Sequence, residues 1–225
     1  MDEFIAELKE IDSPTLANAI ELLEVRDRTE GYVDLSLRCL LPQLGTMVGY
    51  AVTAAMDTTS PGPSPTDRRV LQLWRAVEAA PRPSVLVFQE VGSRPEIGCH
   101  GGDVMATVAR RLGCVGMVSD SGLRDAAEVL EVGLHLFARG LVVSHGNFAV
   151  RDVGVPVEVA GLRIKPGDLL HGDVNGLLKV PPELRGRLAE VVERIRSAES
   201  ATKGAVEDAA VFGPDELDAL FGSRG

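Results

Sequence analysis

The feature that most constrains this chain is an alternation. Ser84 to Glu90 reads as a strand and Asp103 to Leu112 as a helix ended by Gly113; Val115 to Val118 then reads as a strand and Asp125 to Val132 as a helix ended by Gly133. Strand, helix, strand, helix demands a sheet that is at least partly parallel, because a helical crossover must return each strand to the same end. Ligands of open α/β sheets gather at the loops on the strands' carboxyl ends. The loops before Asp103 and before Asp125 are therefore the first places to look for chemistry.

The flanking segments complete the architecture. Ser13-Pro14 predicts a helix start, with Ser13 as cap, and Leu16, Ala19, Ile20 and Leu23 recur at helical spacing. Met47 to Ala55 predicts a strand, Asp57 to Asp67 a loop rich in Pro, Gly, Ser and Thr, and Arg68 to Ala80 a helix. Beyond Leu136-Phe137 the chain turns β-rich: a strand at Val155 to Val159, a hairpin signal at Lys165-Pro166-Gly167-Asp168, and Asn175-Gly176 before a strand at Leu177 to Val180. A helix from Pro182 to about Ala198 closes the domain, and a short amphipathic stretch, Pro214 to Phe221, lies in the polar remainder. We read residues 1–198 as one α/β domain and residues 199–225 as an arm for a neighbouring subunit or a partly disordered tail.

Composition removes several function classes. The 225 residues carry a formal net charge of -10, so the average field repels nucleic-acid phosphates and anionic membranes. Only 4% of residues are aromatic, which leaves little surface for stacking bases. The basic pairs Arg68-Arg69 and Arg110-Arg111 fall within helical patterns and read as solvated faces. Cys39, Cys99 and Cys114 are odd in number and widely spaced, which points to neither a disulfide framework nor a zinc site and fits a reducing cytoplasm. The acidic N-terminus lacks the apolar stretch of a secretion signal, and no run approaches a membrane span.

Two fragments hold the candidate chemistry. Cys99-His100-Gly101-Gly102-Asp103 sets two glycines directly before a helix, where free backbone N–H groups and the helix dipole favour an anion, although a purely structural turn has the same signature. Ser119-Asp120-Ser121-Gly122-Leu123-Arg124-Asp125 supplies a guanidinium that can grip a carboxylate in two-pronged fashion beside a carboxylate that can hold a hard cation. Adjacent opposite charges are equally an ordinary helix start. Glu128, one turn after Asp125, and His100, beside the glycines, are further candidates; His145 has the same standing as His100.

Together the fragments give Asp103-x20-Arg124-Asp125-x2-Glu128, followed by Phe137-Ala138-Arg139-Gly140, Pro166-Gly167-Asp168 and Asp173-Val174-Asn175-Gly176. In these motifs, from about Ser13 to Ile195, the chain resembles the RraA-like family, which includes 4-hydroxy-4-methyl-2-oxoglutarate aldolases and regulators of ribonuclease activity A. The resemblance implies a βαβ-rich, swivelling-domain-like β/β/α fold with mixed sheets and helices at both termini, assembled as a homotrimer or homohexamer in the cytoplasm. It implies Asp125 as the residue serving a divalent metal, Mg²⁺ or Mn²⁺, Arg124 as the substrate-carboxylate residue, and Gly102, Asp103, Val104 and Met105 as the substrate-binding turn, with Asp103 near metal-bound water. The family's usual Asp-Gly before the Arg-Asp step is here Asp120-Ser121-Gly122-Leu123, and the loop from Val91 to His100 is long.

The function expected is a metal-dependent aldolase or decarboxylase acting on a 2-oxo acid. Retro-aldol cleavage and oxaloacetate decarboxylation both build negative charge on the C2 oxygen of a pyruvate enolate, which a metal stabilises directly. A Schiff-base route needs a desolvated lysine, and of Lys9, Lys165, Lys179 and Lys203 only Lys179 lies in an apolar strand. The alternative is a non-catalytic regulator that binds an RNA-processing enzyme. A methyltransferase reading fails on glycine: Glu90 is followed by Val91-Gly92-Ser93-Arg94, without a G-x-G step.

Overall fold

The computed structural model describes residues 2–62, 69–208 and 213–222. Two short helices open it, α1 (Glu3–Lys9) and α2 (Ser13–Leu22). The alternating part consists of β1 (Arg38–Cys39), β2 (Met47–Asp57), α3 (Arg69–Ala79), β3 (Ser84–Glu90), α4 (Asp103–Arg111), β4 (Cys114–Ser119), β5 (Gly122–Leu123), α5 (Ala126–Val132) and β6 (His135–Ala138). The β-rich part follows as β7 (Gly140–Leu141), β8 (Ala149–Val153), β9 (Val157–Val159), β10 (Leu162–Ile164), β11 (Leu169–Asp173) and β12 (Gly176–Val180). Helices α6 (Leu188–Asp208) and α7 (Pro214–Phe221) come last.

The main sheet has the order β1-β6-β4-β3-β2-β11-β12. Its centre, β6, β4, β3 and β2, is parallel, as the alternation requires, and the strands beyond either end of this group pair antiparallel. Strand β2 is long enough to serve two partners: Met47 to Tyr50 pair with β11, and Ala54 to Asp57 with β8. The crossovers through α3, α4 and α5 all step the same way along the sheet, so all three helices cover one face.

Two-residue periodicity divides the buried side chains of β3 between layers. Leu86 and Phe88 pack toward Leu73, Val77, Ala106 and Val129 of the helices. Val85 and Val87 point the other way, onto Val157, Val159, Leu162 and Ile164 of the β9–β10 hairpin. This is the expected β/β/α layering. A third cluster docks α1, α2 and α6 on Val48, Leu178 and Val180.

The boundaries show where pattern and structure part. Helix α2 is capped by Asp12, whose carboxylate accepts from Thr15 N–H at 2.9 Å and Thr15 Oγ1 at 2.8 Å, so Ser13 is the first helical residue instead of the cap. Asp12→Ala should lower stability by about 1 kcal/mol in urea unfolding, the usual cost of a lost cap. The Lys165 to Asp168 signal is a type II turn, with Asp168 N–H donating to the Lys165 carbonyl at 3.1 Å, but it links β10 to a different sheet. The hairpin of this region turns at Ala160-Gly161, both left-handed at φ +48° and +77°. Arg68 and residues 63–67 of the Pro- and Ser-rich loop lie outside the described residues. Among the described residues, no helix is long and apolar enough to cross a membrane.

Candidate active site

Strands β2, β3 and β4 end at one edge of the sheet, where the two glycine-containing fragments meet. Their backbones are stitched together: Gly122 N–H donates to the Gly98 carbonyl at 2.9 Å, His100 N–H to Gly122 at 3.1 Å, and Arg124 N–H to Gly101 at 3.1 Å. Each fragment then runs straight into a helix, Gly102 capping α4 and Asp125 preceding α5.

Asp125 adopts a left-handed backbone, φ 57° and ψ 40°, a conformation that Asp tolerates better than most residues. Its Oδ2 pairs with Arg124 Nε at 3.2 Å and accepts from Asp103 N–H at 3.3 Å. Gly102 makes this approach feasible, because a Cβ there would run into Asp125 Oδ2 and Arg124 Cγ. The N–H groups of Val104 and Met105, in the first turn of α4, have no intrahelical partner.

A cavity of about 190 Å³ opens beside these groups. Gly101, Gly102, Asp103, Val104, Met105 and Arg124 form one part of its lining, and Cys99, His145 and Phe148 the rest. Asp125 borders it through its bonds to Arg124 and Asp103. A larger groove of about 440 Å³ between α2 and α6 lacks this convergence of guanidinium, carboxylate and helix N-terminus. Glu128 is exposed on α5 and does not line the cavity.

His100 lies behind the cavity instead of in it. It is fully buried, with Nε2 3.1 Å from Glu90 Oε2 and Nδ1 2.8 Å from Ser119 Oγ. Burial pushes the Glu90 carboxyl up, but the bonds from His100 and Thr58 outweigh it and hold Glu90 below the ordinary glutamate range. Ser119 Oγ is itself buried and accepts from Ser121 N–H at 3.1 Å, so this Ser-His-Glu chain presents no reachable nucleophile. It braces the glycine turn.

Thr58 joins that brace to the neighbouring loops. Its hydroxyl donates to Glu90 at 2.5 Å and accepts from Cys99 N–H at 3.0 Å, while its carbonyl accepts from Asn147 N–H at 2.9 Å. Asp120 Oδ1 accepts from Glu90 N–H at 2.7 Å, and burial pushes its carboxyl up to about 6. Pattern reading did not assign Thr58 or Phe148 to the site, since nothing local marks them, and it reached Ser119 only as the first residue of the second fragment. Glu90 and Asp120 were legible only as acids at strand ends.

Among the described residues, no three His, Cys, Asp or Glu side chains form a metal cage. That disfavours zinc, which takes a closed set of protein ligands in structural sites and three in catalytic ones. Mg²⁺ commonly takes one or two carboxylates and completes its shell with water and substrate oxygens. Asp125, with 31% of its side chain exposed and Asp103 following the glycine turn beside it, fits that second type.

Fold and geometry thus define an α/β protein whose candidate site lies where parallel strands hand over to helices, with the Arg124-Asp125 step opposite a glycine turn. The chain belongs to the RraA-like family: residues 6–178 match the family model described as Aldolase/RraA. A 4-hydroxy-4-methyl-2-oxoglutarate aldolase of Thermus thermophilus is 30% identical over 43% of this chain and 58% of its own length. The chain spans about half the length of most curated relatives it matches, and 21% of Protein DlpA from Legionella pneumophila. Among solved structures, Streptomyces coelicolor RraAS2, described as an unusual member of the RNase ES inhibitor RraA protein family, is 26% identical. It superposes with a TM-score of 0.64 over 90% of this chain and 95% of its own. A protein from Pseudomonas syringae pv. tomato shares the fold with a TM-score of 0.69 at 23% identity, over 94% and 91% of the two chains.

Proposed function

We propose that this protein is a divalent-metal-dependent lyase that cleaves a 2-oxo acid, by retro-aldol or decarboxylation chemistry, to a pyruvate enolate. The observation that carries the reading is the Asp103–Asp125–Arg124 arrangement against the orphan N–H groups of α4. Arg124 holds the substrate's C1 carboxylate through charge-assisted hydrogen bonds. The N–H groups of Val104 and Met105 add donors from the helix's positive end and orient the 2-oxo acid. Asp125 would hold Mg²⁺ or Mn²⁺, with Asp103 beside the cation's water; the cation, when bound, supplies positive charge to the C2 oxygen as the enolate forms.

The apolar side of the cavity, Met105 and Phe148, limits water around the developing charge and strengthens these interactions. Exposed Ile97, Leu141 and Val143 suit coverage by a neighbouring subunit in a homotrimer or homohexamer. A second reading, a non-catalytic partner of an RNA-processing enzyme, is favoured by the similarity to RraAS2 across most of the chain.

Pyruvate release from oxaloacetate and from 4-hydroxy-4-methyl-2-oxoglutarate, measured with Mg²⁺ or Mn²⁺, tests the proposal. Turnover should disappear with chelator and in Asp125→Asn, beyond the slow background that free metal gives with oxaloacetate. Equal rates in wild type and variant would put the regulatory reading first.

A further inference from the structure

Retro-aldol cleavage has a requirement that decarboxylation lacks: a base must take the proton of the hydroxyl at C4 as the C3–C4 bond breaks. Of the carboxylates nearest the glycine turn, Asp125 is engaged through Oδ2 by Arg124 Nε and the Asp103 N–H, and the Asp103 carboxylate is given above to the water of the cation. The buried His100 is saturated by Glu90 and Ser119. His145 is differently placed. It lines the cavity together with Arg124 and Asp103, and its Nδ1 lies 2.8 Å from the Gly146 carbonyl. A carbonyl can only accept, so in the neutral ring Nδ1 carries the hydrogen and Nε2 keeps its lone pair. Among the described residues, no hydrogen bond engages Nε2.

The loop carrying the exposed His145 side chain is pinned next to it. Gly146, at φ +55°, lies so close to the Thr58 carbonyl that a Cβ there would collide with it. Asn147 N–H donates to that carbonyl at 2.9 Å, and Asn147 Nδ2 donates to the Ser60 carbonyl at 2.8 Å. Thr58 also fixes the glycine turn through Cys99 N–H, so one residue registers both sides of the cavity.

We propose that His145 is the general base of aldol cleavage; the inference rests on the lyase reading above. Nε2 takes the C4 hydroxyl proton, the oxygen's electrons form the new carbonyl, and the C3–C4 bonding pair becomes the enolate of pyruvate. The enolate then takes a proton at C3 from solvent, and the imidazolium releases its own to solvent. Oxaloacetate has no hydroxyl proton to lose, and its cleavage to carbon dioxide and the same enolate needs no base.

The two substrates therefore separate the roles. With Mg²⁺ present, His145→Gln should lower kcat for 4-hydroxy-4-methyl-2-oxoglutarate by about 100-fold or more, the usual contribution of a general base, and should lower kcat for oxaloacetate at least about tenfold less, so that the ratio of the two activities shifts. His145→Ala should regain aldol cleavage when imidazole is added. In the protein without substrate, ¹⁵N spectra should show a protonated Nδ1 and a bare Nε2. Equal loss of both activities, loss of neither, a wild type that decarboxylates but cleaves no 4-hydroxy acid, or the opposite tautomer would each overturn the assignment of His145. A wild type inactive on both substrates would overturn the lyase reading itself.

Discussion

Gly102→Ala is expected to lower turnover by about 100-fold or more while the protein stays folded, the scale of loss produced when a catalytic group is displaced by about 1 Å. Gly102 sits at φ −148°, an extended conformation open to alanine, so the effect is not one of backbone strain. The new methyl would collide with Asp125 Oδ2 and the Arg124 stem. Asp125 would swing away, losing its bonds to Asp103 N–H and Arg124 Nε, and the carboxylate would leave the position proposed for cation binding. At Gly101 the same methyl meets only the flexible sulfurs of Met117 and Met105, at 3.2 and 3.5 Å, so Gly101→Ala is the control and should cost far less. Steady-state kinetics with both substrates, Mn²⁺ titration by calorimetry and thermal unfolding check the three parts. A Gly102→Ala protein with wild-type turnover and metal affinity would remove Asp125 from the centre of the chemistry.

The residues that meet at this site were legible because local chemistry marks them. Two glycines before a helix and an Arg-Asp pair before another are readable wherever they fall, and strand alternation sets both at the same sheet edge. The brace behind them was not readable, since Thr58, Glu90, His100 and Ser119 lie on separate segments and are joined only when β2, β3 and β4 align. His100 illustrates the limit. Its neighbours in sequence suggested a ligand contact, yet the turn of the backbone at Cys99 to Gly101 drives its ring into the core. His145, some forty residues on, lines the cavity from a loop that the Thr58 and Ser60 carbonyls hold. In the fold, β10 and β11 were misjoined for a similar reason: a turn signal locates a reversal but cannot say which strands pair on either side.

Asp120 and His135 should pull the pH dependence of stability in opposite directions by similar amounts. Burial raises the Asp120 carboxyl to about 6 from 3.8. The folded state therefore keeps a proton that the unfolded chain has lost, and stability falls as pH climbs from about 4 through 6. Burial lowers His135 to about 4 from 6.5, with Lys9 and Arg110 adding to the shift, and among the described residues its Nδ1 has no hydrogen-bond partner. Here the unfolded chain protonates first, so stability falls as pH drops from 6.5 through 4. Each shift corresponds to at most about 3 kcal/mol at 1.36 kcal/mol per unit. The two nearly cancel between pH 4 and 6.5. His171, also lowered by burial, tips the balance toward acid lability.

Single variants unmask the opposing slopes. Asp120→Asn keeps an acceptor for Glu90 N–H and removes the buried charge, so at pH 7.5 it should be more stable than wild type by up to about 3 kcal/mol and lose that stability steeply on acidification. His135→Leu deletes the unpaired Nδ1 and should gain stability relative to wild type as pH falls toward 4.5. Asp57, where burial is outweighed by Arg151 and Ser60 and the carboxyl lies at about 2, titrates below this window and leaves the comparison intact. Urea unfolding at pH 4.5 and 7.5 reads both slopes. Variants that run parallel to wild type across this range would show that neither group changes its protonation on folding, and Asp120 would then be an ordinary ionised acceptor for the Glu90 backbone.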